Sequence, residues 1–414
     1  MQHTVDTDVV VVGLGAMGSM ALWRLAERGV RAVGVEQFAP GHTRGSSHGG
    51  SRIFRVAVFE GAAYVPVAQL AHRLWRELEH DSGEELLIST GALMFGPPDS
   101  HVVAGSRRAI EDFGLPHERF DDAEQMRRRW PQFAFADSDV GLLDRDGGAL
   151  RPERAIRAAC REAARLGAEI LPSAAALSVD ADGGGVRVDT GATVIRADRA
   201  VVAVGAWTNQ LLPEAGLPLE IRRAVMTWFS GTPAELYRPD RLPVFVSGGS
   251  RPGDRAGADG AGADGPADDR AGDAAGGGWG VPDVDGLGLK LGHHDPSAAR
   301  RLARAEDNSP VVASGETEPS SAVCRATFPG LDPRPAHVQV CLTTHSPDQD
   351  FVVGPLPGAE QVTLLAGFSG HGFKHAAGLG EIAAQLIADG GSAYDLSPFR
   401  PDRFARAPGA GAVS

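Results

Sequence analysis

The sequence predicts an α/β half with a Rossmann-like order of elements, joined to an α+β half built on a mixed sheet. Three observations predict it. A valine-rich run at residues 8–12 leads directly into Gly13, Gly15 and Gly18, and then into an amphipathic stretch. A second strand-like run ends at Glu36, 23 residues after Gly13. Further short apolar runs recur to the far end of a 414-residue chain, which is long for one core and comfortable for two interleaved ones.

Each element of the opening unit has a physical reason. Residues 8–12 read as a buried parallel strand. Gly13 permits the tight turn, Gly15 leaves room for a pyrophosphate against the backbone, and Gly18 lets helix and strand pack closely. The helix expected at residues 17–27 carries Ala21, Leu22 and Leu25 on its apolar stripe, and Gly29 stops it. Its N-terminus offers free N–H groups to phosphate. Residues 30–35 form the second strand, and Glu36 stands where a carboxylate meets a ribose hydroxyl and repels a 2′-phosphate. In this order the parts form a Rossmann-type dinucleotide site. The glycine pattern alone does not choose FAD over NAD.

Composition narrows the partners. Hydrophobic residues make up 43%, which supports a full core, and the formal net charge of −13 argues against general nucleic-acid binding. Cys160, Cys324 and Cys341 show no close spacing, so neither a disulfide framework nor a thiolate metal site is expected. The adjacent His293 and His294 have no accompanying carboxylate–histidine set, and no metal is expected. No apolar run approaches the ~20 residues that span a bilayer. Met1 leads almost directly into a strand, which makes a cytoplasmic location the simplest expectation.

The cofactor half is expected to be discontinuous: residues 1–90, 145–215 and 340–390, the middle part opening with a long helix over residues 151–170. Residues 200–204 read as a core strand returning to it, with Trp207 near the cofactor or in ordinary packing, and its last helix runs over residues 377–387. The other half takes residues 91–144 and 216–339, with strands at 225–229, 242–246 and 286–291, and roofs the cofactor. Residues 391–414 form a tail. Residues 251–278 contain only Gly, Ala, Asp, Arg and Pro, and are expected to be a mobile insertion, either surface drift or a flap at the substrate entrance.

Beyond the opening unit the sequence resembles the monomeric sarcosine oxidase and N-methyltryptophan oxidase family. The resemblance rests on VVVVGLGAMGSMALWRLAERGVRAVGVEQF at 9–38, SSHGGSRIFR at 46–55, YVPVAQLAHRLWRELE at 64–79, GLGLKLGHH at 286–294, CLTTHSPDQDFVVG at 341–354 and AGFSGHGFKHAAGLGEIAAQL at 366–386. It implies FAD joined covalently through Cys341, where composition alone would favour a buried structural cysteine. It also implies Arg55 and Lys374 as the pair that binds the substrate carboxylate, with Arg offering a bidentate fork and Lys a point charge. Read without it, the pair could be surface charges. Lys290 would assist the reaction with oxygen, and Arg52, His48, His294 and His371 would surround the cofactor or the substrate pocket. Ser46 and Gly370 match cofactor-binding positions.

Leu287, Leu289 and Leu291 alternate on one face, so Lys290 points the other way, into solvent or a cavity. Trp279 departs from the family's phenol, keeping an aromatic wall while replacing its O–H with an indole N–H. This shifts the expected substrate from sarcosine towards a larger N-methyl or cyclic amino acid. The resemblance thus implies oxidation of a small carboxylated secondary amine by molecular oxygen, in a monomer. A flavin amine dehydrogenase, a non-catalytic flavin-binding interaction protein and an NAD-dependent dehydrogenase remain the alternatives.

Overall fold

The computed structural model describes residues 3–249, 277–294, 299–313 and 315–404. Most of the insertion expected at 251–278 lies outside these residues, as does the end of the tail.

The opening unit folds as its sequence requires. The strand His3–Val12 pairs in parallel with Ala32–Val35 on one side and with Thr193–Val202 on the other. Val10 and Val12 pack in one core layer with Val33, Val35 and Val202, while Val9 and Val11 face the helix Ala16–Glu27 in another. That helix is nearly all buried, and it packs against Pro152–Arg165 and Ala376–Ala388. Gly18 is obligatory, because a Cβ there would fall 1.8 Å from the Gly13 carbonyl oxygen. The sheet extends through Glu169–Leu171, Ser178–Asp182, Gly185–Asp189, Val352–Leu356 and Ala359–Ala366 to eight strands. The cofactor half is a Rossmann-like α/β domain with an antiparallel margin.

A nine-stranded mixed sheet forms the roof. Its path runs Arg300–Leu302, Glu220–Phe229, Leu289–His293, Gly278–Val281, Val244–Ser247, Ala92–Gly96, Val140–Asp144 and His117–Phe120, with His337–His345 also paired to Glu220–Phe229. Cross-strand partners share a face. Trp228 and Val281 both stand opposite Lys290, and Ala224 stands opposite Cys341. Strand alternation then puts Met226, Trp279, Lys290 and Cys341 on one face. Leu93, Phe95, Phe229, Phe245, Leu289 and Leu291 pack together on the other. A small sheet of Arg52–Phe54, Gly148–Leu150 and Leu87–Ile88 is hydrogen-bonded into neither, and Arg52–Phe54 packs against the roof strands Val244–Ser247 and Gly278–Val281.

Several sequence boundaries shift for identifiable reasons. Residues 340–345, expected with the cofactor half, pair into the roof. The strand expected from residue 286 begins at Leu289, because Gly286 and Gly288 turn the chain at φ 75° and 101°. The helix expected over residues 151–170 ends at Arg165, and Glu169–Leu171 joins the sheet after a turn at Gly167, φ 101°. Among the described residues no helix is long and apolar enough to cross a membrane.

Candidate active site

A cavity of about 540 Å³ runs from the glycine turn to the roof. Gly13, Gly15, Ala16 and Met17 line one end, Glu36, His42, Trp207 and Leu177 its flank, and Ser46, Arg52, Cys341, Thr343, Phe368 and Gly370 the other end. Gly13 holds φ 89°, and a Cβ on it would lie 2.7 Å from the Ala203 carbonyl oxygen. A Cβ on Gly15 would meet nothing closer than Ser47 Oγ at 3.8 Å, so the backbone is open to a close-lying phosphate. Glu36 is 3% exposed; its carboxylate accepts from the Leu14 N–H at 2.8 Å and the Phe38 N–H at 2.9 Å. Those bonds fix the acid at the strand end and use part of its accepting capacity. At the mouth, the Trp207 indole donates to Glu306 at 2.8 Å. A glycine cradle, a fixed acid and an elongated cavity fit FAD.

Cys341 closes the far end of this cavity. Its Sγ lies 3.8 Å from an Arg52 nitrogen and 3.6 Å from the Ser46 carbonyl oxygen. Burial pushes the thiol pKa up, while Arg52 and Lys290 oppose that shift. Arg52 donates to the Ser46 and Ser51 carbonyls at 2.8 Å each. Lys290 is 1% exposed and faces inward. Its Nζ donates to the Gly49 and Ser51 carbonyls at 2.9 and 3.0 Å and sits 5.0 Å from the Trp228 ring centroid. Burial, then Arg52, holds its pKa well below the ordinary lysine value. His48 is buried nearby, and burial lowers its pKa to about 4.

Arg55 and Lys374 come together 319 positions apart in sequence, each 4% exposed. They meet on Glu60, which sequence reasoning did not single out. Glu60 Oε1 accepts from Arg55 at 2.6 Å and from Lys374 at 2.8 Å. Among the described residues Glu60 Oε2 has no hydrogen-bond partner. Burial raises the Glu60 pKa, but Arg55 and Lys374 outweigh it and hold the carboxyl well below its usual range. Burial brings Lys374 down to about 8 although Glu60 pulls the other way. The Arg55 guanidinium also lies 3.9 Å from the Phe59 ring centroid. Only the acid in the 58–61 turn could have marked Glu60, and nothing in that turn announces its partner at residue 374.

His371 stands beside this cluster, its Nδ1 3.8 Å from Glu60 Oε1. Its Nε2 lies 3.1 Å from the Gln349 carbonyl oxygen, so that nitrogen carries the proton and Nδ1 is left as an acceptor. Burial, then Lys374, lowers the His371 pKa to about 3. Gln349 holds φ 61°, and its Oε1 contacts His345 Nδ1 at 2.9 Å. His345 Nε2 in turn meets Thr343 Oγ1, on the cavity wall, at 3.0 Å. His294 is neutral for the same reason as His371, burial taking it to about 4. Trp279 packs against Gly292, where a Cβ would fall 2.2 Å from the indole. Gly13, Gly15, Glu36, Ser46, Arg52, Cys341 and Gly370 thus line one continuous cavity, whereas Arg55, Lys374 and His371 gather around Glu60 outside its lining.

Comparison with known proteins shows the family. The model of the FAD dependent oxidoreductase family matches residues 8–386. A monomeric sarcosine oxidase of Streptomyces avermitilis is 35% identical over 405 residues, covering 97% of this chain and 98% of that protein. An N-methyl-L-tryptophan oxidase of Salmonella heidelberg is 32% identical over 402 residues, covering 96% and 99%. The solved structure of NikD, an amino acid oxidase essential for nikkomycin biosynthesis, shares the fold with a TM-score of 0.78 at 22% identity, covering 96% of this chain and 98% of that one. The L-proline dehydrogenase of P. horikoshii gives 0.78 at 21%, covering 97% and 99%.

Proposed function

We propose, from the premise that this chain belongs to the FAD dependent oxidoreductase family, that it oxidises a secondary or N-methyl amino acid with molecular oxygen as the electron acceptor. The observation that carries the substrate class is the buried cluster of Arg55, Glu60 and Lys374, where two cations already converge on a carboxylate oxygen. One carboxylate against two cations leaves one positive charge, which favours a second carboxylate. The names of the sarcosine and N-methyl-L-tryptophan oxidases support an N-alkylated amino acid.

The chemistry removes two hydrogens across the substrate C–N bond to give an imine, which water hydrolyses. Oxygen takes up the two electrons and two protons as hydrogen peroxide. Bound FAD supplies the two-electron acceptor between them. The glycine turn, Glu36, Ser46 and Gly370 would hold it, and Cys341 would tether it. Arg55 and Lys374 fix the substrate carboxylate and so orient the amine. Neutral His371 offers Nδ1 as an acceptor on the same side, with His294 and the Trp279 wall shaping the pocket. Lys290 places a buried cation on the roof face, suited to stabilising negative charge as oxygen is reduced.

An aerobic screen with peroxide detection tests the reading. Sarcosine, N-methyltryptophan, proline, pipecolate and larger N-methyl amino acids are compared with their decarboxylated amines. Peroxide from the carboxylated set alone is expected. Equal turnover of the decarboxylated amines would remove the role given to Arg55 and Lys374. Turnover with an artificial acceptor but without oxygen uptake would replace the oxidase with a dehydrogenase. After acid precipitation the yellow colour should stay with the protein in the parent enzyme and move to the supernatant in Cys341→Ser.

A further inference from the structure

The loop that carries Gly49, Gly50 and Ser51 is gripped from two sides. On one side stands Glu153, in the first turn of the helix Pro152–Arg165. Its Oε1 accepts from the Gly49 N–H at 2.7 Å and the Gly50 N–H at 3.2 Å, and its Oε2 lies 3.3 Å from the Gly50 nitrogen. On the other side, Lys290 Nζ donates to the Gly49 and Ser51 carbonyls. Within three consecutive residues, the Gly49 and Gly50 amides therefore meet an acid of the cofactor half and the Gly49 and Ser51 carbonyls meet a lysine of the roof.

The backbone makes this possible. Gly49 and Gly50 both hold left-handed conformations, φ 93° and 72°. Successive N–H groups in such a turn converge into an anion-binding concavity, which the Glu153 carboxylate fills. Bulk keeps the loop in place: a Cβ on Gly49 would lie 2.6 Å from Met226 Sδ, and one on Gly50 would lie 1.9 Å from Asp285 Oδ2. Asp285 is itself paired with Arg151 at 3.3 Å. Among the described residues the two carbonyls are the hydrogen-bond acceptors of a lysine that is 1% exposed, so wherever the loop settles, Nζ follows.

We propose that Glu153 is a positioning residue for Lys290: by binding the Gly49 and Gly50 amides it aims the Gly49 and Ser51 carbonyls at Nζ and so sets the ammonium on the cofactor side of the roof. A second effect adds to the first. Glu153 and Asp285 are the carboxylates that favour this ammonium against Arg52, so Glu153 also offsets buried positive charge. The inference rests on the reading of Lys290 as the cation of the oxygen step, and its test separates the two.

The test uses the FAD-loaded enzyme and the variants Glu153→Ala, Glu153→Gln, Glu153→Asp, Lys290→Met and the double variant Glu153→Ala/Lys290→Met. Three quantities are read: the anaerobic rate of reduction by substrate, the rate of reoxidation by oxygen, and the visible absorption band of the oxidised flavin, which responds to a nearby charge. Glu153→Ala is expected to slow reoxidation by about tenfold or more, since small misplacements near a reacting centre cost that much, and to slow reduction far less. It should shift the absorption band in the same direction as Lys290→Met, and the double variant should be no slower than Lys290→Met alone. Glu153→Asp should recover part of the loss. Glu153→Gln keeps an acceptor oxygen without the charge, and stands in if the alanine variant does not fold. An unshifted band with normal reoxidation in Glu153→Ala and Glu153→Gln, beside slow reoxidation in Lys290→Met, overturns the positioning role alone. Normal reoxidation in Lys290→Met overturns the oxygen role of the lysine, and a band shift common to Lys290→Met and Glu153→Ala then still upholds the positioning. A loss in Glu153→Ala that adds in full to that of Lys290→Met overturns it.

Discussion

The cofactor cavity and the carboxylate cluster are built on opposite plans. The cavity takes its glycine turn from one continuous motif and its remaining walls from segments as distant as Trp207 and Gly370, and it is open along about 540 Å³. The cluster takes side chains from two distant segments, buries three charges, and satisfies them on one another through Glu60. A cofactor enters the first by fitting a shape. A substrate anion enters the second by competing with a carboxylate already bound. Charge held in a dry site is costly when its partner is removed, so Glu60 both stabilises the empty cluster and restrains its affinity.

The largest expected effect breaks the first plan. Gly13→Val places a branched side chain at φ 89° with its Cβ 2.7 Å from the Ala203 carbonyl oxygen, and purified protein should lose its yellow colour altogether. Next comes Lys374→Met. Arg55 and Glu60 would then form a neutral pair, and loss of one charged hydrogen bond, about 1.5–3 kcal/mol, should raise the KM of a carboxylated amine by about ten- to a hundredfold. The KM of a decarboxylated amine should change little.

Glu60→Gln sharpens the comparison, because its two effects have opposite signs. Stability falls, as Arg55 and Lys374 lose their shared counter-charge, by about 3 kcal/mol. Affinity for a substrate-like carboxylate rises by about tenfold, since no carboxylate of the protein then competes for Arg55 and Lys374. Thermal unfolding with and without the ligand checks both at once. A smaller effect follows from pH. Lys374 titrates at about 8, so its charge is present below that value and lost above it. The Kd of a non-oxidisable carboxylate should therefore weaken as pH rises through 8, with Arg55 still charged. No weakening between pH 7 and 9.5 contradicts the assignment of that charge.

The same contrast explains what the sequence could tell. Gly13, Gly15, Gly18 and Glu36 were legible because turn, close approach and strand end are local demands on residue type. The direction of Lys290 was legible from the leucine alternation, but whether it met solvent or protein depended on Gly49 and Ser51, some 240 positions earlier. Cys341 carried no local mark of its place at the cavity end, and only resemblance pointed to it. Glu60 and Glu153 were missed for another reason: each looks like an ordinary acid, one in a turn and one at a helix start. Their partners are fixed by tertiary packing. Residues 340–345 were grouped with the cofactor half, yet they pair with Glu220–Phe229 in the roof, a partner that no local residue pattern names.

The most direct measurement is a spectral titration of the FAD-loaded enzyme and its Glu60→Gln and Lys374→Met variants with a non-oxidisable N-substituted carboxylate and its amide analogue. The account predicts binding that depends on the carboxylate, is tighter in Glu60→Gln and is weaker in Lys374→Met. Equal affinity for acid and amide, or a carboxylate Kd that neither substitution moves, would contradict it.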